Sequence, residues 1–214
     1  MSYVGMSNNT SRPPDVDAAY ALSGIEECRR LYADWADSYD QGFAQARGYI
    51  LPAQVAAAWR AAAAPRGPVL DVGAGTGLVA QALRMAGHAG AIDAVDLSAE
   101  MLEIARAKQL YRHLITADIT QPLPAEHGPW AGFLSAGTFT HGHVGPEALP
   151  PLLDRAIPGA VVAFAVNLGV WEARGFPQAL AALAPRITDP EMIDTAIYGA
   201  GGDDRARIVR FSTR

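Results

Sequence analysis

The residue types and spacing best suited to chemistry occur in a glycine-rich loop that follows a short apolar run. The loop reads DVGAGTG, so an acidic residue precedes glycines at every second position. Such glycines allow left-handed backbone angles and let a ligand approach the main chain. The helix predicted from Leu78 onward adds free N–H groups and a partial positive charge, which together predict a nucleotide-type site. The loop residues expected to contact the ligand are Asp71, Gly73, Ala74, Gly75, Thr76 and Gly77.

The register of these glycines separates two kinds of cofactor. A dinucleotide site rests its pyrophosphate on the helix and requires G-x-G-x-x-G. Counting from Gly73 places Leu78 at the last glycine, whereas counting from Gly75 places Ala80 there, which only the looser form of the pattern allows. The Asp71 carboxylate would repel a pyrophosphate and attract a cationic amino-acid group. S-adenosylmethionine has that group and no phosphate, so we expect it as the cofactor, with a nicotinamide cofactor as the weaker alternative.

Two further acidic residues end the next predicted strands, Ala91–Asp96 and Leu114–Ala117. Asp96 is placed to accept hydrogen bonds from ribose hydroxyls, as in enzymes that bind NAD, and Asp118 from an adenine amino group. Each alone would more often be a turn residue or a helix cap. Ligands of open α/β sheets bind along the carboxyl edge of the strands, so the ordered set predicts one site. Its remaining expected members are Leu97, Ser98, Met101, Ala117, Ile119 and Ala136.

The elements that must position these residues alternate along the chain. Apolar runs of strand length alternate with helical periodicity, which predicts an α/β fold with a parallel, doubly wound sheet. A glycine-rich turn between two strand-like runs predicts a terminal β-hairpin. Further predicted strands are Trp130–Ala136, Val161–Val166, Met192–Tyr198 and Ala206–Ser212, and further helices are Pro52–Ala64 and Glu147–Ala156.

Composition limits the function classes. The 214 residues suit one domain, and the net charge of −5 argues against a nucleic-acid partner, which requires a basic face. The single cysteine excludes an internal disulfide framework and fits a cytoplasmic setting. We find no signal peptide and no apolar run long enough to span a membrane. We expect a flexible leader over 1–16 and a single domain over 17–214, in which N-terminal helices (17–66) precede the core (67–214).

These residues resemble the class I S-adenosylmethionine-dependent methyltransferases. The resemblance covers about residues 30–214 and rests on Val69–Gly77, Asp96–Ser98 with Met101, Ala117–Ile119, and Pro158-Gly159 before the fifth strand. It implies a Rossmann-like, seven-stranded, mostly parallel sheet with helices on both faces, a C-terminal antiparallel hairpin and an N-terminal helical extension. It also implies that Asp71 and the glycine loop hold the methionine part, Asp96 the ribose, and Asp118 with Ile119 the adenine.

A narrower resemblance concerns the segment before the loop. Tyr32, Trp35 and Tyr39 share one helix face, which by itself indicates a core stripe. With Leu110-Tyr111 and the residues that follow Gly77, the segment is similar to the methyltransferase-like proteins named after the Williams–Beuren syndrome region. In related enzymes this helical segment folds over the cofactor, which implies that Tyr39 and Trp35 line the site.

Candidate acceptor residues follow the fourth and fifth predicted strands. His141 is the candidate general base or acceptor-binding residue, and His143, Asn167 and Trp171 are candidate acceptor contacts. A base is required only if the acceptor must lose a proton. The histidine pair lacks further metal ligands, so we expect no metal. The sequence from Ser135 to Phe139 lacks the Asn/Asp-Pro-Pro-aromatic motif of enzymes that methylate exocyclic base nitrogens.

The expected activity is methyl transfer to a small-molecule acceptor, by a monomer or homodimer. No large substrate domain or basic extension is evident to suggest a macromolecular acceptor. Three alternatives stay open: an aminopropyl transferase, an NAD-dependent oxidoreductase, and a protein that binds S-adenosylmethionine without catalysis.

Overall fold

A computed structural model describes residues 25–199 and 204–214. Seven strands form one sheet in the order β3-β2-β1-β4-β5-β7-β6. The first five are parallel neighbours, while β7 pairs antiparallel with both β5 and β6. The strands are β1 (Val69–Val72), β2 (Ile92–Asp96), β3 (His113–Thr116), β4 (Trp130–Phe139), β5 (Ala156–Asn167), β6 (Glu191–Ala196) and β7 (Arg205–Ser212).

The helices lie on both sides of this sheet. The described residues also include two 3₁₀ segments, Ala36–Ser38 and Pro146–Ala148, and one π-helix, Tyr39–Gln45. The α-helices are α1 (Ile25–Trp35), α2 (Leu51–Arg60), α3 (Leu78–Met85), α4 (Ala99–Ala107), α5 (Leu149–Leu153), α6 (Leu168–Trp171) and α7 (Phe176–Leu183). Among the described helices, none is long and apolar enough to cross a bilayer.

Successive side chains of the central strands pack on opposite faces of the sheet and form two separate hydrophobic cores. Phe133 and Phe164 pack into one apolar cluster, whereas the adjacent Leu134 and Ala163 pack into another. Successive side chains of a strand point to opposite faces, so a strand that is apolar throughout buries both faces. This is why β1, β4 and β5 occupy the middle of the sheet, and the predicted seven-stranded Rossmann-like class with its terminal hairpin is confirmed.

The boundary between the last predicted helix and the fifth strand differs from the prediction. The helix begins only at Leu149 because Pro150 and Pro151 are tolerated in a first turn and nowhere further inside. Pro158 and Gly159 lie within β5 rather than before it. The register explains this, since Trp130 pairs with Ala156 but Gly132 pairs with Val161, so β5 carries extra residues as a bulge.

The segment that holds Tyr32, Trp35 and Tyr39 is helical, as predicted, but it consists of three elements. These are α1, a 3₁₀ turn and the π-helix Tyr39–Gln45. The helix predicted over Pro52–Ala64 is the shorter α2, and strand β3 begins one residue before the predicted Leu114. The predicted leader over 1–16 lies outside the described residues.

A buried carboxylate on β2 bonds to β4 and to the residue before β3, at the end of the strands opposite the glycine loop. Asp93 on β2 is fully buried and accepts hydrogen bonds from Arg112 at 3.0 and 2.7 Å and from Trp130 Nε1 at 2.8 Å. Burial raises the pKa of Asp93, but the bonds from Arg112 and Trp130 outweigh it and hold that pKa below its ordinary value. The ionised form therefore stabilises the fold above the ordinary carboxyl pKa, and this stability is lost as pH falls through the lowered pKa.

Removing the arginine tests this network. We expect Arg112→Ala to lower the free energy of unfolding at pH 7 by about 2–4 kcal/mol, because it leaves a buried carboxylate with too few donors. The control Arg106→Ala removes an exposed partner of Glu103 and should cost less than about 0.5 kcal/mol. Urea unfolding measures both. Equal losses in the two variants would show that the Asp93 network adds no stability.

Candidate active site

The glycine loop leaves β1 in a conformation that few other residues adopt. Gly73, Gly75 and Gly77 have φ values of 63°, 53° and 95°. A Cβ on Gly73 would lie 2.0 Å from Thr138 Oγ1, so this glycine is also required by close packing. A Cβ on Gly75 would meet nothing within 4 Å, because Gly75 borders open space. The N–H groups of Gly73 and Ala74 bond to the Val95 carbonyl at 2.8 and 3.1 Å, which fixes the loop to β2.

This open space is a cavity of about 510 Å³ at the carboxyl edge of the parallel strands. It lies between the ends of β1, β2, β3 and β4 and the N-terminal helical segment. Most of the residues predicted from sequence line it. They are Tyr39, Gly73, Ala74, Gly75, Thr76, Asp96, Leu97, Met101, Ala117, Asp118, Ile119, Ala136 and His143.

Asp96 is held in place by the main chain on both sides. Its Oδ2 accepts from Gly75 N–H at 2.7 Å and its Oδ1 from Ser98 N–H at 2.9 Å. Burial raises the pKa of Asp96, and the N–H groups of Ser98, Gly75 and Leu97 oppose that rise. Each oxygen keeps a second lone pair, so the carboxylate can accept hydrogen bonds from two neighbouring hydroxyls of a ligand.

Asp118 and its apolar neighbours form a second part of the wall. Asp118 Oδ1 accepts from Thr120 N–H at 2.9 Å and from Thr120 Oγ1 at 2.7 Å, so Asp118 is a turn residue as well as a wall residue. Ile119 and Met101 are 6% and 1% exposed. This combination of a carboxylate edge with flat apolar contact suits a purine ring that carries an amino group.

Asp71 lies behind the loop and not on the cavity wall. It is fully buried, and its Oδ2 accepts from the Tyr111 hydroxyl at 2.6 Å. Oδ1 makes no hydrogen bond of good geometry among the described residues. Burial raises the pKa of Asp71 to about 7, against the lowering effect of Tyr111 and of the nearby Ala80 N–H. Its negative charge can reach a cation in the cavity through space only.

Several other predicted residues also lie off the wall. Gly77 packs against Tyr111, Ser98 caps α4 by accepting from Met101 N–H at 3.1 Å, and Trp35 packs beside Met101. Asn167 caps α6, with its Oδ1 accepting from Gly169 N–H at 2.8 Å. These positions give the residues structural contacts, and their contact with a ligand stays a prediction.

The two remaining acceptor candidates are also packed elsewhere. Trp171 stacks on Phe176 with ring centroids 5.7 Å apart, and Arg207 lies 4.8 Å from its ring. The His141 ring packs on Gly169, where a Cβ would lie 2.8 Å from Nε2. His141 does not line the cavity, whereas His143 does.

The N-terminal segment packs on two of the loops that border the cavity. Asp40 of the π-helix accepts from Thr76 Oγ1 at 2.5 Å and forms an ion pair with Lys108 Nζ at 2.5 Å. Tyr32 contacts Tyr39, with ring centroids 6.1 Å apart, and His143 at 5.3 Å. Through these contacts the segment joins the glycine loop to the loop after β4.

Two polar residues of the cavity wall, Arg174 and Glu147, were not predicted from sequence. Arg174 Nη2 donates to the His143 carbonyl at 2.8 Å and lies 3.8 Å from Glu147 Oε1. Both residues follow carboxyl ends of strands, which is the one sequence signal that would have drawn attention to them. The wall residues not predicted as site residues are Tyr32, Tyr49, Pro52, Leu78, Val79, Thr120, Gly137, Thr138, Gly142, Val144, Glu147 and Arg174.

Comparison with known proteins agrees with this geometry. Residues 69–157 match the family model of a methyltransferase domain. Human methyltransferase-like protein 27 is 36% identical over 142 residues, which cover 64% of this chain and 57% of that protein. The chain thus spans little more than half the length of this curated relative.

Solved structures agree in fold. Magnesium protoporphyrin IX methyltransferase from Synechocystis PCC 6803, solved with bound S-adenosylmethionine, superposes with a TM-score of 0.60 at 17% identity, covering 87% of this chain and 97% of that one. A TehB-like methyltransferase from Corynebacterium glutamicum gives 0.59 at 18% identity, covering 86% and 100%. Residues 69–157 thus match a methyltransferase domain, and the described residues share the Rossmann-like fold of the solved methyltransferases.

Proposed function

We propose that this chain transfers a methyl group from S-adenosylmethionine to a small-molecule acceptor. The observation that carries the proposal is the Asp96 carboxylate, which lines the cavity and is fixed by the N–H groups of Gly75 and Ser98. Asp96 would hold the ribose, Asp118 and Ile119 the adenine, and the loop from Gly73 to Gly77 the methionine part. The sulfonium of the cofactor supplies an already activated methyl group.

The task left to the protein is alignment. An acceptor atom must lie about 3–3.5 Å from the methyl carbon, in line with the departing sulfur. Thr138, His143 and Arg174 line the same cavity, and we infer that the acceptor binds beside them. Tyr32 and His143 both line the cavity and pack on each other with ring centroids 5.3 Å apart, and a wall joined in this way favours a small acceptor over a macromolecule.

The first test measures cofactor binding. We expect Asp96→Ala to weaken S-adenosylmethionine binding by about 10–100-fold, since a hydrogen bond to a charged group contributes about 1.5–3 kcal/mol. Calorimetry with S-adenosylmethionine, its demethylated product and NAD gives the measurement. The matched control Asp154→Ala removes an exposed carboxylate that pairs with Arg186 and should bind normally. Tight binding of NAD alone would contradict the proposed cofactor.

The second test measures transfer. The purified chain with methyl-labelled S-adenosylmethionine and a cell extract should place the label in the fraction that passes an ultrafilter. A control incubation with Asp96→Ala at low cofactor concentration should lose that label. Label found only in retained protein or nucleic acid would refute the small-molecule acceptor, and cofactor binding without any transfer would favour a non-enzymatic role.

The third test concerns Asp71 and follows from its pKa of about 7, raised from 3.8 mainly by burial. A raised carboxyl pKa contributes stability that is present below the unfolded pKa and lost as pH rises through the folded pKa. Asp71→Asn should therefore stabilise the ligand-free protein, by about 1 kcal/mol more at pH 8.5 than at pH 6. The same variant should bind the cationic cofactor several-fold more weakly.

Urea unfolding at the two pH values and calorimetry with the cofactor give both quantities. Asp154→Asn is the control, because its exposed carboxylate should show neither effect. An Asp71→Asn effect on stability that is the same at both pH values would mean that Asp71 keeps an ordinary pKa.

A further inference from the structure

One cationic side chain borders the cavity. Of the described residues that line it, Arg174 is the one lysine or arginine, whereas Asp96, Asp118 and Glu147 are acidic. The proposed cofactor contacts use Asp96 for the ribose and Asp118 for the adenine, and they give Arg174 no part. A guanidinium forms strong, often paired hydrogen bonds with anions, so Arg174 is suited to bind a negative group of a second ligand.

The strand order determines which ligand Arg174 can reach. Arg174 follows the helix that leaves β5, and in the sheet β4 separates β5 from β1. Neighbouring strands lie about 4.8 Å apart, so the ends of β1 and β5 are about 10 Å apart. The proposed contacts with the cofactor follow β3, β2 and β1, on one side of that interval. Arg174 therefore borders the part of the cavity that is left for the acceptor.

The loop after β4 holds the guanidinium of Arg174 in place. Its Nη2 donates to the His143 carbonyl at 2.8 Å. A Cβ on Gly145 would lie 3.1 Å from Nη2 and 3.2 Å from Nε, so one edge of the guanidinium packs on this glycine. The backbone N–H of Arg174 bonds to the Val170 carbonyl at 2.9 Å. The side chain is thus positioned before a ligand arrives, which reduces the entropy lost on binding.

Most hydrogen-bond donors of Arg174 are unused. A guanidinium has five N–H groups, and the bond to His143 uses one. Glu147 Oε1 lies 3.8 Å from Nη2, too far for a hydrogen bond, and accepts from Gly145 N–H at 2.8 Å instead. Among the described residues, the Arg174 side chain has no other hydrogen bond. Since 37% of this side chain is exposed, a ligand can reach it.

The neighbouring charges favour a ligand group with a single negative charge. Glu147 partly offsets the charge of Arg174. A phosphate monoester carries a charge of about −1.5 to −2 at pH 7, and Glu147 would repel the second charge. A carboxylate has one charge, and its two oxygens match the parallel N–H groups of a guanidinium. The sulfonium of the cofactor would also attract this anion and would repel a cationic acceptor.

We propose that Arg174 binds a carboxylate of the acceptor, so that the substrate is a carboxylic acid that is methylated at another atom. This inference rests on the proposed methyl transfer. The carboxylate stays paired with Arg174 and unchanged, because lone pairs engaged by a guanidinium are poor nucleophiles. A different atom of the acceptor forms the bond to the methyl carbon as the carbon–sulfur bond breaks. That electron pair stays on sulfur, and a proton on the acceptor atom is released to water.

Fractionation of an extract tests the charge of the acceptor. The small molecules of a cell extract are divided on a strong anion exchanger at pH 7 into a retained and an unretained pool. Each pool is incubated with the wild-type chain and methyl-labelled S-adenosylmethionine. The products then pass the same exchanger, which lets the cationic cofactor through. We expect labelled product from the retained pool alone, and we expect the exchanger to retain this product again.

Other outcomes separate this inference from methyl transfer itself. Label from the unretained pool alone would overturn the inference and leave methyl transfer standing. A labelled product that the exchanger no longer retains would mean that the carboxylate itself is methylated, which also overturns it. Loss of labelling after phosphatase treatment of the retained pool would assign a phosphate instead of a carboxylate and refute the inference. No label from either pool would contradict methyl transfer.

Substitutions of Arg174 test its role. Arg174→Gln removes the charge and keeps an amide N–H for the His143 carbonyl, so we expect the amount of retained pool that gives the half-maximal rate to rise about 10–100-fold. Arg174→Lys keeps the charge without the fork of N–H groups and should recover part of this loss. Calorimetry should show unchanged cofactor affinity in both variants. Equal losses would indicate a structural role, and weaker cofactor binding would indicate contact with the methionine carboxylate. Either result overturns the proposal.

Glu147 and Arg186 provide the comparison variants. Glu147→Gln keeps an oxygen for Gly145 N–H and removes the charge that offsets Arg174, so the half-maximal amount should fall several-fold. A rise would assign a cationic group of the acceptor to Glu147 and overturn the proposal. Arg186→Gln removes an exposed arginine that pairs with Asp154 and should match the wild type. A loss in this control equal to that of Arg174→Gln would show a general effect of charge and also overturn the proposal.

Discussion

The Asp96 carboxylate is the contact on which the site depends. It accepts one N–H from the loop after β1 and one from the turn before α4, so a single side chain fixes the positions of two crossover connections. Both connections leave parallel strands at the same edge, and only there can one carboxylate reach both. The same bonds orient its remaining lone pairs. Without these two bonds, the shape of the cavity would vary with the conformation of the two loops.

Buried carboxylates on adjacent strands have opposite roles in this fold. Asp93 is surrounded by Arg112, His113 and Trp130, and its pKa is lowered. Asp71, also fully buried, has only the Tyr111 hydroxyl as a strong partner, and burial raises its pKa. The first stabilises the fold at neutral pH. The second destabilises the fold when it is ionised, as its raised pKa implies.

The helical segment before the core contributes enclosure. Asp40 connects the π-helix to Thr76 and Lys108, and the aromatic rings of Tyr32 and Tyr39 extend that contact to the loop after β4. Tyr39 lines the cavity, and the next residue, Asp40, anchors the segment to the glycine loop. Enclosure of this kind excludes water and strengthens electrostatic interactions within the cavity.

Local pattern by itself determined the strand-loop-helix that borders the cavity. Gly73, Gly75, Asp96 and Asp118 were predicted from sequence and line the cavity, because glycine spacing and strand ends are local properties and parallel strands must bring those ends together. The alternation of strands and helices likewise determined the fold class. Sequence also indicated the terminal hairpin, though not that its second strand inserts beside β5.

Only the tertiary structure decided which residues face the cavity. Asp71 was expected to be a wall residue, yet its side chain lies behind the loop because Tyr111, forty positions later, occupies the space beside it. His141 and His143 are indistinguishable by type and spacing, and packing against Gly169 or Tyr32 separates them. Arg174 and Glu147 meet across two different loops. Contacts between distant segments depend on how helices and loops pack on the sheet, and no periodicity within one segment encodes that.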